Sequence, residues 1–119
     1  MIEDDRETSR VMARLVRARG FSVVTAGSVA EARACVQQGN VGFLISDLGL
    51  PDGNACDLMA EVSASHGLKG AAISGFGMDA DVIRSREAGF VFHLTKPIAI
   101  GDLEYVLTVA RLSMASLKK

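Results

Sequence analysis

The feature that most constrains this chain is how often its apolar period changes. Segments with helical spacing alternate with short, nearly continuous apolar runs from one end to the other. "SRVMARLVRARG" sets Val11, Met12, Leu15 and Val16 at helical spacing, leaves Arg10, Arg14, Arg17 and Arg19 mostly on the other face, and stops at Gly20. "FSVVTA" at 21–26 reads as a short strand. Ser28, with Glu31 three residues on, then opens a helix "VAEARACVQQG" that closes at Gly39. "VGFLISD" at 41–47 is almost wholly apolar, as a strand covered on both faces is, and "NACDLMAEVSASHG" is a helix ending at His66 and Gly67. "GAAISGFG" at 70–77 and "FVFHLTKP" at 90–97 are two further strands with the helix "DADVIRSREAG" between them. "GDLEYVLTVARLSMASL" closes the chain as a helix with Leu103, Val106, Leu107, Ala110 and Leu117 along one side. With Met1 and Ile2 standing for a short first strand, the order is βαβαβαβαβα.

Alternating βα units imply a parallel sheet with right-handed crossovers and helices on both faces. A length of 119 residues fits one core, and a 49% hydrophobic composition with two prolines can fill it. The expectation is a single domain over 1–119: α/β, a (βα)5 doubly wound five-stranded parallel sheet with a shortened first strand. Thirteen basic and 14 acidic residues, for a net charge of −1, supply no field to recruit nucleic acid or an anionic membrane directly. The start "MIEDDRETSR" has acids where a signal peptide is apolar, and no apolar run is long enough to span a bilayer, so a cytoplasmic location is expected. Cys35 and Cys56 match neither a zinc site nor a redox pair and are expected as reduced thiols inside helices.

"LISDLGLPDG" at 44–53 ends a buried strand on a charge. In open α/β sheets, ligands bind beyond the carboxyl ends of the strands. Glu3, Asp4 and Asp5 follow the first apolar residues, Asp47 ends the third strand, Ser74 the fourth and Lys96 the fifth, all at that edge. Carboxylates converging on one point repel unless a cation lies among them. A hard ion such as Mg2+ suits oxygen donors and commonly takes one or two carboxylates plus a phosphate oxygen. Acids, metal, the Lys96 ammonium and the Ser74 hydroxyl make a site for phosphoryl transfer, with Asp47 as a nucleophile able to carry an acyl phosphate.

"EDD", "ISDLGLPDG", "AISGFG" and "HLTKP", each at a strand end and in this order, resemble the site motifs of two-component response regulator receiver domains over essentially the whole chain. The resemblance implies a flavodoxin-like receiver fold in which Asp47 accepts phosphate from the phosphohistidine of a histidine kinase or phosphotransfer domain. It makes Asp4 the direct Mg2+ ligand, has Glu3 reach the ion through water, and adds the carboxylate of Asp47 and the backbone carbonyl of Gly49. Asp5 is the ambiguous acid, the spacing favouring Glu3 and Asp4 as the working pair. Ser74 would bond a phosphoryl oxygen and move toward it, Lys96 would pair with Asp47 and then with the phosphoryl group, and Lys96–Pro97 would be a cis peptide. Ser74 and His93 are the switch candidates, His93 standing where many members carry the Tyr or Phe whose rotation reports phosphorylation. The change would reach the face formed by the fourth helix, fifth strand and fifth helix, through which such a domain could also dimerise.

The chain also departs from the family pattern. Only Met1 and Ile2 precede the acids, where the family has four or five apolar residues, and Ala55 stands where it usually has a glycine, so that the loop is either strained or given its flexibility by Gly53. The resemblance implies a signalling domain rather than an enzyme, with at most slow self-phosphorylation and dephosphorylation. "LGLPDG" with "HLTKP" looks most like receivers of hybrid sensor kinases; a free-standing regulator and a receiver-like interaction module that is never phosphorylated are the other readings.

Overall fold

The computed structural model describes residues 1–39, 41–75 and 79–117. α1 (Arg6–Ala18) starts on Asp5, whose carboxylate accepts the Glu7 N–H at 3.3 Å and the Thr8 hydroxyl at 2.6 Å. Those donors hold the Asp5 carboxyl below its usual range, the Thr8 hydroxyl most of all. α2 (Val29–Gln37) is capped by its own Ser28 and also by Asp52, which accepts the Val29 and Ala30 N–H groups at 2.8 and 3.0 Å. β1 (Phe43–Asp47) is followed by a small antiparallel hairpin, β2 (Gly49–Leu50) and β3 (Gly53–Asn54), whose turn carries Asp52 to α2. Gly53 takes a φ of +155°, so Ala55 needs no special backbone. Ala55 opens α3 (Ala55–His66) with Asn54 as its cap and a left-handed Gly67 as its stop. β4 (Lys69–Ser74), α4 (Asp79–Ala88), β5 (Phe90–Thr95) and α5 (Ile100–Leu117) complete the chain.

β1, β4 and β5 form a parallel ladder in that order, with Asp47 opposite Ile73 and Ser74 opposite Thr95. On the other side of β1 the sheet continues through single residues. The Ile2 N–H donates to Ile45 O at 2.7 Å and Ile2 O accepts the Asp47 N–H at 2.9 Å. Ala26 is bridged in turn to Met1–Glu3 by bonds of 3.0 Å. The strand order therefore reverses about a central first strand, as a doubly wound sheet requires. The expected sheet with a shortened first strand is built from a three-stranded ladder plus two bridge positions, Ile2 for the first strand and Ala26 for the 21–26 segment. An edge segment in a parallel sheet can ladder only with its inner neighbour. With one residue of that neighbour in register, 21–25 has no ladder partner whatever its β-propensity.

Side chains alternate across the sheet. Leu44 and Ala72 enter a core shared with Val36, Leu58, Met59 and Val62, on the α2 and α3 side. Ile45, Ala71 and Ile73 face Met12, Val16 and Leu103, on the α1 and α5 side. Leu103, Val106, Leu107 and Ala110 of α5 are buried as expected, and the Leu117 side chain lies outside the described residues. Val11 departs from its expectation: it is 50% exposed, and Ala13 takes the buried place beside Met12 and Val16. Cys35 and Cys56 lie in α2 and α3 with no disulfide between them.

Candidate functional site

The strand ends bring the expected polar residues together. Ile2 is 2% exposed between its two bridges, and this anchor fixes Glu3 and Asp4 just beyond the sheet. Glu3 is buried at 6% exposure and Asp4 is exposed. Asp47, also 6% exposed, ends β1. One carboxylate oxygen from each of Glu3, Asp4 and Asp47 lies within 4.8 Å of the others. The Lys96 backbone N–H donates to Ser74 O at 2.9 Å, continuing the β4–β5 pairing past the strand end. The Lys96 side chain, 41% exposed, then reaches inward, with Nζ 3.0 Å from Asp47 Oδ2 and 3.5 Å from Glu3 Oε1. The Lys96–Pro97 peptide is cis.

Burial pushes the Asp47 carboxyl up from its usual range, and the hydrogen bond and charge of Lys96 pull it partly back. Its second oxygen, Oδ1, is buried and makes no hydrogen bond to the described residues. A buried carboxylate with one oxygen held by an ammonium and the other without a hydrogen bond to the described residues is costly alone. Three clustered carboxylates against one lysine leave negative charge in excess, so the donor set fits a hard divalent cation.

Gly49, two residues past Asp47, is exposed, and a Cβ there would meet nothing within 4 Å. Asp5 stands apart as the α1 cap. Ser74 ends β4 with its Oγ 2.6 Å from His93 Nε2 and 3.4 Å from Gly75 O. His93 Nδ1 lies 3.2 Å from the hydroxyl of Ser85, a buried residue of α4. Phe76 and Gly77 of "AISGFG" lie outside the described residues. Ser85 carries no signal in the sequence: one serine among polar helix residues becomes notable only once α4 packs on β5.

The family model of the response regulator receiver domain matches residues 1–108. This chain belongs to that family. Receiver domains are the phosphoacceptor signalling modules of two-component systems. They work with histidine kinases or phosphotransfer proteins and bind Mg2+ at an acidic pocket such as this one. The photosynthetic apparatus regulatory protein RegA of Cereibacter sphaeroides is 27% identical over 108 residues, 90% of this chain and 59% of that protein. The KDP operon transcriptional regulatory protein KdpE of Escherichia coli K12 is 26% identical over 110 residues, 92% of this chain and 49% of that protein. The chain thus spans about half the length of these curated relatives. Among solved structures, a receiver domain protein from Clostridium thermocellum superposes with a TM-score of 0.86 at 23% identity, covering 98% of this chain and 94% of that one. A two-component response regulator from Clostridium difficile gives 0.87 at 16% identity, covering 95% and 93%. At those identities the likeness bears on the fold, which is the flavodoxin-like receiver fold expected. Among the described residues no helix is long and apolar enough to cross a membrane.

Proposed function

We propose that Asp47 is the residue phosphorylated and that 1–119 acts as one cytoplasmic receiver domain. A carboxylate oxygen of Asp47 attacks the phosphorus of a phosphohistidine on a kinase or phosphotransfer domain. The O–P bond forms as the N–P bond breaks, the leaving imidazole keeps the electron pair and takes up a proton, and Asp47 becomes an acyl phosphate. The observation that carries this reading is the Asp47 carboxylate itself, buried at the sheet edge with Oδ2 on Lys96 and Oδ1 without a hydrogen bond to the described residues. Asp4 and Asp47, Glu3 through water and the Gly49 carbonyl would hold a magnesium ion, which when bound offsets the charge of the carboxylates and phosphoryl oxygens.

Lys96 transfers its contact from Asp47 to the phosphoryl group, and Ser74 donates its hydroxyl to a phosphoryl oxygen. With no side chain at Gly49 to cover it, the acyl phosphate is open to water and moderately labile. The added charge of about 1.5 to 2 units repositions Ser74 and Lys96. That shift biases the α4–β5–α5 face, where Ile83, Val91 and Tyr105 are exposed, toward a partner or a second copy. Beyond slow self-phosphorylation and dephosphorylation no catalysis is proposed. "LGLPDG" with "HLTKP" supports the narrower reading of a receiver joined to a hybrid sensor kinase.

The test is intact-protein mass after incubation with acetyl phosphate, with and without magnesium, on wild type and Asp47→Asn. The expected result is a magnesium-dependent gain of one phosphoryl group that the variant lacks. A folded wild type that gains nothing would instead be an interaction module that is not phosphorylated.

A further inference from the structure

Behind Ser74 runs a chain of hydrogen bonds whose direction is set at its far end. Ser85, 2% exposed on α4, donates its hydroxyl to the Val82 carbonyl at 2.9 Å. That uses its one proton, so the 3.2 Å bond to His93 Nδ1 is donated by the imidazole. A neutral imidazole protonated on Nδ1 offers a lone pair at Nε2, where Ser74 Oγ sits 2.6 Å away. The alternative acceptor for the Ser74 proton, Gly75 O, is at 3.4 Å, long for an O–H donor. With the imidazole neutral, all three bonds point one way: Ser74 to His93, His93 to Ser85, Ser85 to the backbone of α4.

A phosphoryl oxygen on Asp47 needs the same proton. We propose that His93 competes with the phosphoryl group for the Ser74 hydroxyl, that Ser85 fixes the tautomer that lets it compete, and that phosphorylation passes to α4 by breaking the Ser74–His93 bond. This inference rests on the phosphoacceptor reading above. A phenyl ring at 93 could fill the same space but could not hold the Ser74 proton or bond to α4. Once Ser74 turns to the phosphoryl group, Nε2 loses its donor while Nδ1 stays tied to Ser85, so the adjustment of the imidazole is applied within α4. Ile83, 62% exposed on that helix two residues before Ser85, carries it to the surface. His93 and Ser85 are positioning residues: both act through Ser74.

The experiment pairs the initial rate of magnesium-dependent phosphorylation by acetyl phosphate, read by intact mass, with the imidazole 15N shifts of His93. It uses wild type, His93→Phe, Ser85→Ala and the double variant. In the resting wild type, the proton is expected on Nδ1, with Nε2 an acceptor that changes shift on phosphorylation. Removing one neutral hydrogen bond from the resting state is expected to speed phosphorylation by about three- to tenfold in His93→Phe. Ser85→Ala is expected to act in the same direction but less, with a mixed tautomer signal, and the double variant to be no faster than His93→Phe. A resting proton on Nε2, or wild-type rates in both single variants, overturns the relay while leaving Asp47 as phosphoacceptor. A wild type that takes up no phosphoryl group overturns both, and the 15N spectrum then still reports the direction of the bonds. Should His93→Phe fail to fold, Ser85→Ala and the wild-type tautomer decide alone.

Discussion

The two sides of the sheet are built differently although they meet at one site. To one side of β1, each strand residue has its ladder partner: Phe43 through Asp47 pair with Lys69 through Ile73, and β4 pairs on with β5. To the other, Ile2 makes two single-residue bridges, one to Ser46 and one to Ala26, and nearby polar groups are answered by charged ones. The Val23 carbonyl accepts from Arg17 Nη2 at 3.2 Å, Val24 O accepts from the Met1 ammonium at 2.9 Å, and the Arg111 guanidinium lies 4.9 Å from the centre of the Phe21 ring. A cavity of about 90 Å³ lies beneath, lined by Val16, Phe21, Val23, Phe43, Ile45 and Leu107 among others. Asp47, Ser74 and Lys96 hang from the complete side, and Glu3 and Asp4 from the sparse one, so the two sides differ in how many ladder bonds back the residues they bring to the site.

The largest expected contrast is in amide hydrogen exchange. β4 is paired on both sides, so its core amides should exchange only through global unfolding, whereas 21–25 should open locally and exchange faster by orders of magnitude. Equal protection of the two segments would end the comparison. Next come substitutions. Ile2→Ala truncates a fully buried side chain on the sparse side and should cost about 2–4 kcal/mol in denaturant unfolding, with weaker magnesium binding because Glu3 and Asp4 follow it directly. Two glycines give a matched pair. A Cβ at Gly70 in β4 would lie 2.9 Å from the Leu44 carbonyl oxygen and 3.0 Å from Met59 Sδ, so Gly70→Ala should destabilise by about 1–3 kcal/mol. At Gly42 the three atoms nearest the Cβ would all belong to the Met114 side chain, the first at 2.8 Å, and a methionine can turn aside, so Gly42→Ala should cost less than about 1 kcal/mol.

How much of this was legible depended on how local the cause was. Asp47, Ser74 and Lys96 could be placed because a strand's end and the edge it points to follow from the order of units alone. Asp5, the ambiguous acid of the sequence, is a cap only in the folded chain, where α1 starts at Arg6. The 21–26 segment misled because "FSVVTA" has strand composition while its pairing depends on residues at the far end of a helix. Val11 misled because the apolar stripe of α1 is wider than the face that the sheet covers. The hydrogen bonds of His93 and the loop staple of Asp52 join residues from elements that no periodicity relates, and only packing brings them together.

The smaller effects concern charge, and they have opposite signs on the two sides. Asp47 is pushed up by burial, so its contribution to stability is fully present below the ordinary aspartate value and is lost as pH rises through the folded one. Asp47→Asn removes that penalty and is expected to raise the thermal midpoint at neutral pH by several degrees. A lowered midpoint would mean that Lys96 gains more from the carboxylate than burial costs it. On the sparse side, burial lowers the Met1 ammonium from 8.0 to about 6, against a weaker pull from Cys35. Here the unfolded chain binds the extra proton between about pH 6 and 8, so stability should rise with pH across that window. Met1 is only half-buried and solvent screens part of the effect, so the gain should be nearer about 1 kcal/mol than the full two units would carry. Denaturant midpoints at pH 6 and pH 8, for this chain and for one acetylated at the amine, isolate it: the free amine should show the rise and the acetylated chain should not. If both rise alike, the proton is taken up at a group other than the Met1 amine.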